Sequence, residues 1–272
     1  MQTTRRQLLQ GVGAALTARP LTGQTGAGER PVLWYKAAAR EWTEALPIGN
    51  GNLGAMVFGG VEQERLQLNE HSLWSGHPVE IDSPHTLEVL PKVRQLLFDG
   101  KYMEAQQLAG QEMMVRTRVP ASSYQTLGDL GISFDHGAAA EEYRRELDLD
   151  TAIARTEYRV AGARFTREVF VSQPDQAIVL RMACDKPEGL SFTARLTRPA
   201  DAQTEYAVDG IVMRGKAAND GVAFECRIAP RVEGGKVEAT PGGWRVTGAN
   251  AVTFVLAAAT SYQGKGATTR AW

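Results

Sequence analysis

The amino-acid sequence predicts an all-β protein, mainly antiparallel, in which β-sheets stack as a sandwich interrupted by a short two-helix insertion. Over residues 127–262, apolar and polar side chains alternate in many short segments, which is the period of half-buried strands. Gly and Asp separate these segments at short spacing, as is typical of antiparallel turns. Residues 83–114 depart from this alternation and repeat apolar residues at helical spacing.

The predicted helices come first along the chain. Pro91 suits the first turn of a helix, and Val93, Leu96 and Leu97 follow at helical spacing before Asp99–Gly100 ends it. A second helix is indicated by the spacing of Tyr102, Ala105, Leu108 and Ala109. Two short amphipathic helices need a surface that covers their apolar faces.

The predicted strands follow, separated by short turns. Residues 156–172 predict two strands joined at residues 160–163, where glycine accommodates a positive φ. Asp209–Gly210 predicts a two-residue hairpin turn, and Gly234–Gly235 marks another turn. Residues 252–259 are almost wholly apolar, which predicts a strand buried on both faces.

The composition excludes several classes of protein. The 272 residues contain 30 Lys and Arg against 31 Asp and Glu, a net charge of −1 that argues against binding to nucleic acid or to an anionic membrane surface. With 43% hydrophobic and 22% charged residues the chain is not disordered as a whole. No apolar run approaches the length of a membrane-spanning helix. The four histidines show no metal-binding spacing and no phosphate loop is present, so no metal and no cofactor is predicted.

The first 30 residues have the pattern of a twin-arginine-type signal segment. Arg5 and Arg6 precede the weakly apolar run 8–17, and a Gly/Thr-rich stretch follows. The alternative is a frayed amino-terminal helix on a cytoplasmic protein. On the signal interpretation, residues 31–272 form the mature sandwich domain, located in the periplasm or outside the cell.

Two further groups of residues are predicted to have structural roles. Cys184 and Cys226 lie on the apolar phase of alternating segments, so we expect two buried thiols, with a disulfide between paired strands as the alternative. A solvated sheet face is predicted for Arg144, Arg145, Glu146, Arg155, Arg159, Arg164 and Arg167.

The sequence does not indicate any pair of carboxylates that would act as a buried acid and base.

Residues with the chemistry of a binding site concentrate between positions 34 and 76. Carbohydrate sites combine amide and carboxylate groups, which bind hydroxyls, with aromatic faces that cover C–H surfaces. On that basis the predicted substrate-binding residues are Asn50, Asn52, Asn69, Glu70 and Trp74. Turn geometry for the asparagines and core packing for the tryptophan are the alternatives. No catalytic residue is predicted.

Several long motifs resemble the amino-terminal domain of glycoside hydrolase family 95, the inverting α-L-fucosidases. They are LPIGNGNLGAMVFGG, ERLQLNEHSLWSG, YQTLGDLGISF, YRRELDLDTAIARTEY and FTREVFVS, and the resemblance runs from about residue 31 onward. It implies a large β super-sandwich that precedes an (α/α)6 barrel, with the catalytic acid and the groups that activate water on the barrel.

No part of the sequence matches those barrel motifs, so the resemblance implies a fucosidase domain that is inactive alone, and the signal segment implies that this domain is exported. Its substrate would be a fucosylated oligosaccharide or polysaccharide, and a separately encoded barrel is a candidate partner. The alternative is a free-standing carbohydrate-binding or structural sandwich. Fucose and L-galactose both remain open as the recognised sugar.

Overall fold

The computed structural model of the chain describes residues 30–77, 83, 85–114 and 122–262. These residues form two antiparallel β-sheets and two helices, which confirms the predicted all-β fold with a short helical insertion. The predicted export signal lies outside the described residues, apart from its last residue, Arg30.

The larger sheet has nine strands within the described residues. In spatial order they are β1 (Val32–Tyr35), β6 (Glu141–Asp148), β7 (Ile153–Val160), β8 (Ala163–Ser172), β9 (Ala177–Cys184), β16 (Ala251–Thr260), β13 (Ala223–Glu233), β12 (Gly210–Lys216) and β11 (Ala202–Ala207). The smaller sheet has seven. Their order is β14 (Lys236–Thr240), β15 (Gly243–Ala249), β10 (Leu190–Thr197), β5 (Gly128–Phe134), β4 (Gln63–Glu70), β3 (Leu53–Val57) and β2 (Leu46–Gly49).

The inner faces of the two sheets share one hydrophobic core. At its centre Phe192 on β10 contacts Trp244 on β15 and Phe254 on β16, with ring centroids 6.4 and 6.0 Å away. Trp244 and Phe254 are 5.3 Å apart in an edge-to-face arrangement. Because β16 belongs to the opposite sheet, these rings join the two layers, and burying large aromatic side chains is a major stabilising term.

All three predicted turns form, one of them shifted by a residue. Gly234 and Gly235 both have positive φ and connect β13 to β14 as predicted. Ala161 and Gly162 both have positive φ and connect β7 to β8 as predicted. The turn predicted at Asp209–Gly210 is made by residues 208–209 instead, because Gly210 is the first residue of β12 and pairs with Ala207. A Cβ on Gly210 would lie 2.5 Å from the carbonyl oxygen of Ile228, so the residue marks a close approach between β12 and β13.

The strand β16 is less enclosed than its sequence predicts. Val252, Phe254 and Leu256 are buried, whereas Thr253 and Val255 on the other face are only half-buried. That face is the outer surface of the nine-stranded sheet, which no second layer of strands covers among the described residues. The prediction of burial on both faces is therefore wrong for Thr253 and Val255, although Ala257 on the same face is buried.

The helical insertion consists of α1 (Thr86–Phe98) and α2 (Tyr102–Glu112). The helices pack on each other, and Val93 and Ala105 are their buried residues. The predicted place of Pro91 is wrong: α1 begins upstream, so Pro91 lies in its second turn, where it removes one backbone donor from the helix. Neither described helix is long and apolar enough to cross a membrane.

Arg145 is buried, contrary to the prediction of a solvated face. Its Nε donates to the carbonyl oxygen of Ala37 at 2.7 Å, and Nη1 donates to that of Glu44 at 2.8 Å. The guanidinium carbon lies 4.3 Å from the ring centroid of Tyr35. Arg145 therefore holds the segment that crosses from β1 in one sheet to β2 in the other.

Arg167 on β8 is buried as well. It shares the inward phase of Phe165 and Val169, and its Nη1 lies 2.8 Å from Oε2 of Glu64 on β4. This ion pair joins the two sheets, and Nη2 of Arg167 also donates to the carbonyl oxygen of Gly60 at 2.6 Å. An exposed face rich in ion pairs is found, as predicted, for Arg144, Arg155, Arg159 and Arg164.

Both cysteines are free thiols, so the disulfide alternative is not realised. Cys226 is fully buried and Cys184 is half-buried. Burial raises the pKa of both thiols, which keeps them protonated and poorly reactive near neutral pH.

Candidate functional site

Asn50 and Asn52 lie at the turn between β2 and β3. Oδ1 of Asn50 accepts hydrogen bonds from the backbone N–H groups of Asn52 and Leu53, at 3.0 and 2.9 Å. Nδ2 of Asn50 donates to the carbonyl oxygen of Ser172 at 2.9 Å, and Nδ2 of Asn52 donates to Oε1 of Gln176 at 2.5 Å. Both amides therefore tie this turn to the one between β8 and β9.

Glu70 is buried at the end of β4. Its carboxylate accepts hydrogen bonds from the backbone N–H and the hydroxyl of Ser72, each at 2.9 Å to Oε2, and Nδ1 of His71 lies 3.2 Å from Oε1. The Ser72 hydroxyl is also 2.5 Å from Oγ1 of Thr260 on β16. The carboxylate thus closes the turn after β4 and links it to the opposite sheet.

Asn69 lines a groove of about 590 Å³, named here the outer groove. Its floor consists of strands β2, β3 and β4 of the seven-stranded sheet. The residues that line it are Trp42, Pro47, Ile48, Gly54, Ala55, Met56, Gln67, Leu68, Asn69, Tyr124 and Thr126. Trp42 belongs to the 3-10 helix Trp42–Glu44 before β2, and Tyr124 to the segment before β5.

Tyr124 is held from several sides. Its hydroxyl donates to the carbonyl oxygen of Glu70 at 3.2 Å, and its ring meets that of Trp74 edge-on, with centroids 5.5 Å apart. Burial raises the pKa of the phenol, a hydrogen bond from the Asn69 side chain lowers it, and the charge of Glu70 raises it. The result is a neutral, oriented phenol beside the amide of Asn69.

Trp74 lines a different groove, of about 650 Å³, with residues that include Ser122, Val222 and Tyr262. Its only carboxylate among the lining residues described is that of Asp220, 4.0 Å from Nδ1 of His77. A hydrogen bond from Lys216 holds the pKa of Asp220 below its ordinary value.

The five predicted binding residues are only partly brought together. The pairing of β3 with β4 places Leu53 opposite Glu70, so both asparagines of the turn and residues 69–70 lie at the same end of the sheet. The side chains of Asn69 and Glu70 nevertheless point to opposite faces, and Trp74 faces the other groove. Whether these residues bind substrate stays a prediction.

Sequence reasoning missed the two aromatic side chains and the second side-chain amide that line the outer groove, which are Trp42, Tyr124 and Gln67. Gln67 could have been found, because it shares the outward phase of Asn69 between the buried Leu66 and Leu68. Tyr124 and Trp42 come from segments without a periodic pattern, and only the folded chain places them on either side of the same strands.

The described residues do not form an acid–base pair at either groove. Glu64 is buried and bound to Arg167, and Glu70 is bound to Ser72. Burial raises the pKa of Glu64, and the charge of Arg167 opposes this. Within the described ranges, no three His, Cys, Asp or Glu side chains cluster closely enough to hold a metal ion.

The chain is similar in sequence to a known domain family and to several known proteins. The model of the glycosyl hydrolase family 65 N-terminal domain matches residues 33–265. "Alpha-L-fucosidase 2" of Arabidopsis thaliana is 38% identical over 192 residues, which are 68% of this chain and 22% of the plant protein. "Probable alpha-fucosidase A" of Aspergillus niger is 33% identical over 168 residues, 58% of this chain and 20% of the fungal protein.

The chain therefore spans about a fifth of the length of these curated relatives. A solved structure titled "Putative kojibiose phosphorylase from human microbiome" covers 86% of the chain, with 8% identity and a TM-score of 0.47, and the chain covers 33% of that structure. The match over residues 33–265 confirms the resemblance to the amino-terminal domain of a fucosidase-like glycoside hydrolase. The chain belongs to the family of glycosyl hydrolase family 65 N-terminal domains.

Proposed function

We propose that this chain is the amino-terminal domain of an exported, family 95-type α-L-fucosidase, which hydrolyses α-fucosyl O-glycosidic bonds with inversion. The observation that carries the proposal is the 38% identity to a protein named alpha-L-fucosidase 2 over 192 residues. The domain contributes a rigid scaffold and one wall of the glycan-binding region. An (α/α)6 barrel, in the same protein or encoded separately, contributes the catalytic groups.

The distribution of carboxylates supports a non-catalytic domain. Inverting hydrolysis needs an acid and a base on opposite faces of the sugar, with carboxyl groups roughly 6.5–9.5 Å apart. No carboxylate lines the outer groove among the described residues, and the groove beside Trp74 has the single carboxylate of Asp220. A bound glycoside would therefore be oriented at these grooves without being protonated or attacked by an activated water.

The test is a turnover assay with the purified 272-residue chain and 2′-fucosyllactose, an α-1,2-fucosylated trisaccharide. We expect no release of fucose by the chain alone, and release when a barrel-containing partner is added. A parallel α-L-galactoside distinguishes the two candidate sugars. Release of fucose at enzyme-like rates by the chain alone would contradict the proposal, because it would require a catalytic carboxylate pair within the sandwich.

The alternative function is a free-standing carbohydrate-binding sandwich. The outer groove is the observation that favours it, because exposed aromatic and amide groups suit a sugar whether or not a barrel is present. An adjacent reading frame encoding an α-helical barrel would favour the fucosidase domain. An isolated gene whose product binds glycans would favour the alternative.

A further inference from the structure

We propose that the outer groove is a subsite for an uncharged sugar unit of the glycan, bound between Trp42 and Tyr124. The class of ligand rests on the proposed function, and the position of the subsite rests on the geometry of the outer groove. It differs from the predicted binding residues, because only Asn69 is shared by the two sets.

The aromatic walls match the apolar face of a pyranose. Trp42 is 58% exposed and Tyr124 is 43% exposed, although large aromatic side chains are usually covered. Between them Pro47 and Met56 provide an apolar floor on β2 and β3. A sugar ring placed there would bury its C–H face against apolar atoms and leave its hydroxyls at the rim.

The polar groups of the groove suit hydroxyls. Asn69 and Tyr124 both line the groove, and the phenol of Tyr124 is fixed by its hydrogen bond to the carbonyl oxygen of Glu70. The amide of Gln67 makes no hydrogen bond to any other residue that the structure describes. A primary amide offers both donors and an acceptor, so two neighbouring amides can pair with hydroxyls in either sense.

The charges argue for a neutral ligand. None of the described residues lining the outer groove is ionised near neutral pH. The nearest outward-facing charge on β4 is Arg65, which is paired with Asp129 at 3.1 Å and lies over the ring of Phe58. An anionic sugar would have no countercharge among these lining residues, whereas neutral sugars such as fucose, galactose and glucose need none.

The experiment measures binding of 2′-fucosyllactose to the 272-residue chain by saturation-transfer difference NMR and calorimetry. We expect saturable binding, weakened about tenfold, which is about 1.4 kcal/mol, by Trp42→Ala. Gln67→Ala should weaken it severalfold. The matched control is Trp34→Ala, since Trp34 is 48% exposed on β1 of the other sheet and lies outside the groove. Circular dichroism checks that each variant is folded.

Three outcomes would overturn the subsite: no binding by the wild-type chain, equal loss with Trp34→Ala and Trp42→Ala, or self-association through Trp42 without sugar binding in sedimentation. The measurement needs no turnover, so failure of the fucosidase assay leaves it intact. Lactose binding as tightly as 2′-fucosyllactose would support the neutral-sugar subsite while contradicting fucose as the recognised unit.

Discussion

Glu64 connects three parts of the fold through one buried carboxylate. Its Oε1 accepts hydrogen bonds from the backbone N–H groups of Gly59 and Arg65 at 2.8 and 2.9 Å, and its Oε2 pairs with Arg167. The glycine pair after β3 is adapted to this arrangement. Gly59 has a φ of +72°, and a Cβ on Gly60 would lie 1.8 Å from the carbonyl oxygen of Gln63. This part of the MVFGG motif therefore serves the junction between the sheets.

Removing one partner of the buried pair should be costly. We expect Arg167→Met to lower the free energy of unfolding by about 3–5 kcal/mol, because it leaves the Glu64 carboxylate buried without its countercharge. Urea unfolding followed by circular dichroism measures the loss. Arg181→Met is the control, since Arg181 pairs with Glu233 on the exposed face and should change stability by less than about 1 kcal/mol. Equal effects of the two variants would contradict this assignment.

His136 should make the stability depend on pH. Its Nε2 lies 2.9 Å from the Tyr158 hydroxyl and its Nδ1 lies 2.8 Å from the carbonyl oxygen of Gly137, and burial lowers its pKa below the ordinary value of 6.5. A lowered pKa means that the folded state favours the neutral ring. This contribution to stability is therefore complete above pH 6.5 and is lost as the pH falls from there to the folded-state pKa.

The variant His136→Phe removes this titration. We expect its free energy of unfolding, measured by urea titration, to fall less than that of the wild type between about pH 7 and about pH 5. An NMR titration of the His136 ring in the wild type provides the independent check. A ring that becomes protonated above pH 6.5 would refute the prediction.

For individual side chains, the sequence predicts burial better than it predicts the direction of polar groups. The inward phase of Met182 and Cys226 follows from alternation alone. Arg145 and Arg167 show why polar residues escape this rule: each faces inward because a carbonyl or carboxylate from a distant segment meets it there. Such partners are set by sheet packing, which one strand's sequence does not encode.

The helical hairpin is the element with the most exposed apolar surface. Phe98 is 85% exposed at its tip, and Tyr102 and Met103 are exposed as well. The helices are joined mainly to each other, with Ala105 and Val93 at their contact. We infer that the hairpin gains little stability from the sandwich.

A charged side chain at the contact between α1 and α2 should therefore destabilise the hairpin without destabilising the two sheets. We expect Ala105→Asp to speed amide hydrogen exchange throughout α1 and α2, because Ala105 is buried and a carboxylate there would lack a partner. The strands around Phe192 should keep their protection. Ala207→Asp, at an exposed position on edge strand β11, is the control. Loss of protection in both sheets would show that the hairpin is part of the same cooperative unit.

For strands and helices, local signals predict the turns and the helical segments, whereas the order of strands is not local. The turn at Ala161 and Gly162 follows from two adjacent residues. In contrast, β1 pairs with β6, and β10 lies between β5 and β15, so neighbours in a sheet come from distant parts of the chain. The outer groove could not be predicted for the same reason, because Trp42 and Tyr124 line the same groove only after those strands have paired.

For the chain as a whole, the remaining prediction concerns export. We expect an Arg5→Lys/Arg6→Lys double variant to accumulate inside the cell, because paired arginines are what the twin-arginine route requires. Fractionation of periplasm and cytoplasm measures this. Arg19→Lys is the matched control, since it makes the same exchange in the same segment away from the pair and should leave export unchanged. Normal export of the double variant would exclude this route.

The position of β16 has a consequence for how the protein is made. This strand, the last one described, lies between β9 and β13 inside the nine-stranded sheet. A ribosome adds about 5–20 residues per second. One edge of β9 therefore stays unpaired for several seconds while the residues between β9 and β16 are synthesised. Open strand edges recruit other chains. We expect a chain that terminates before residue 251 to aggregate, because without β16 the edges of β9 and β13 would both be unpaired.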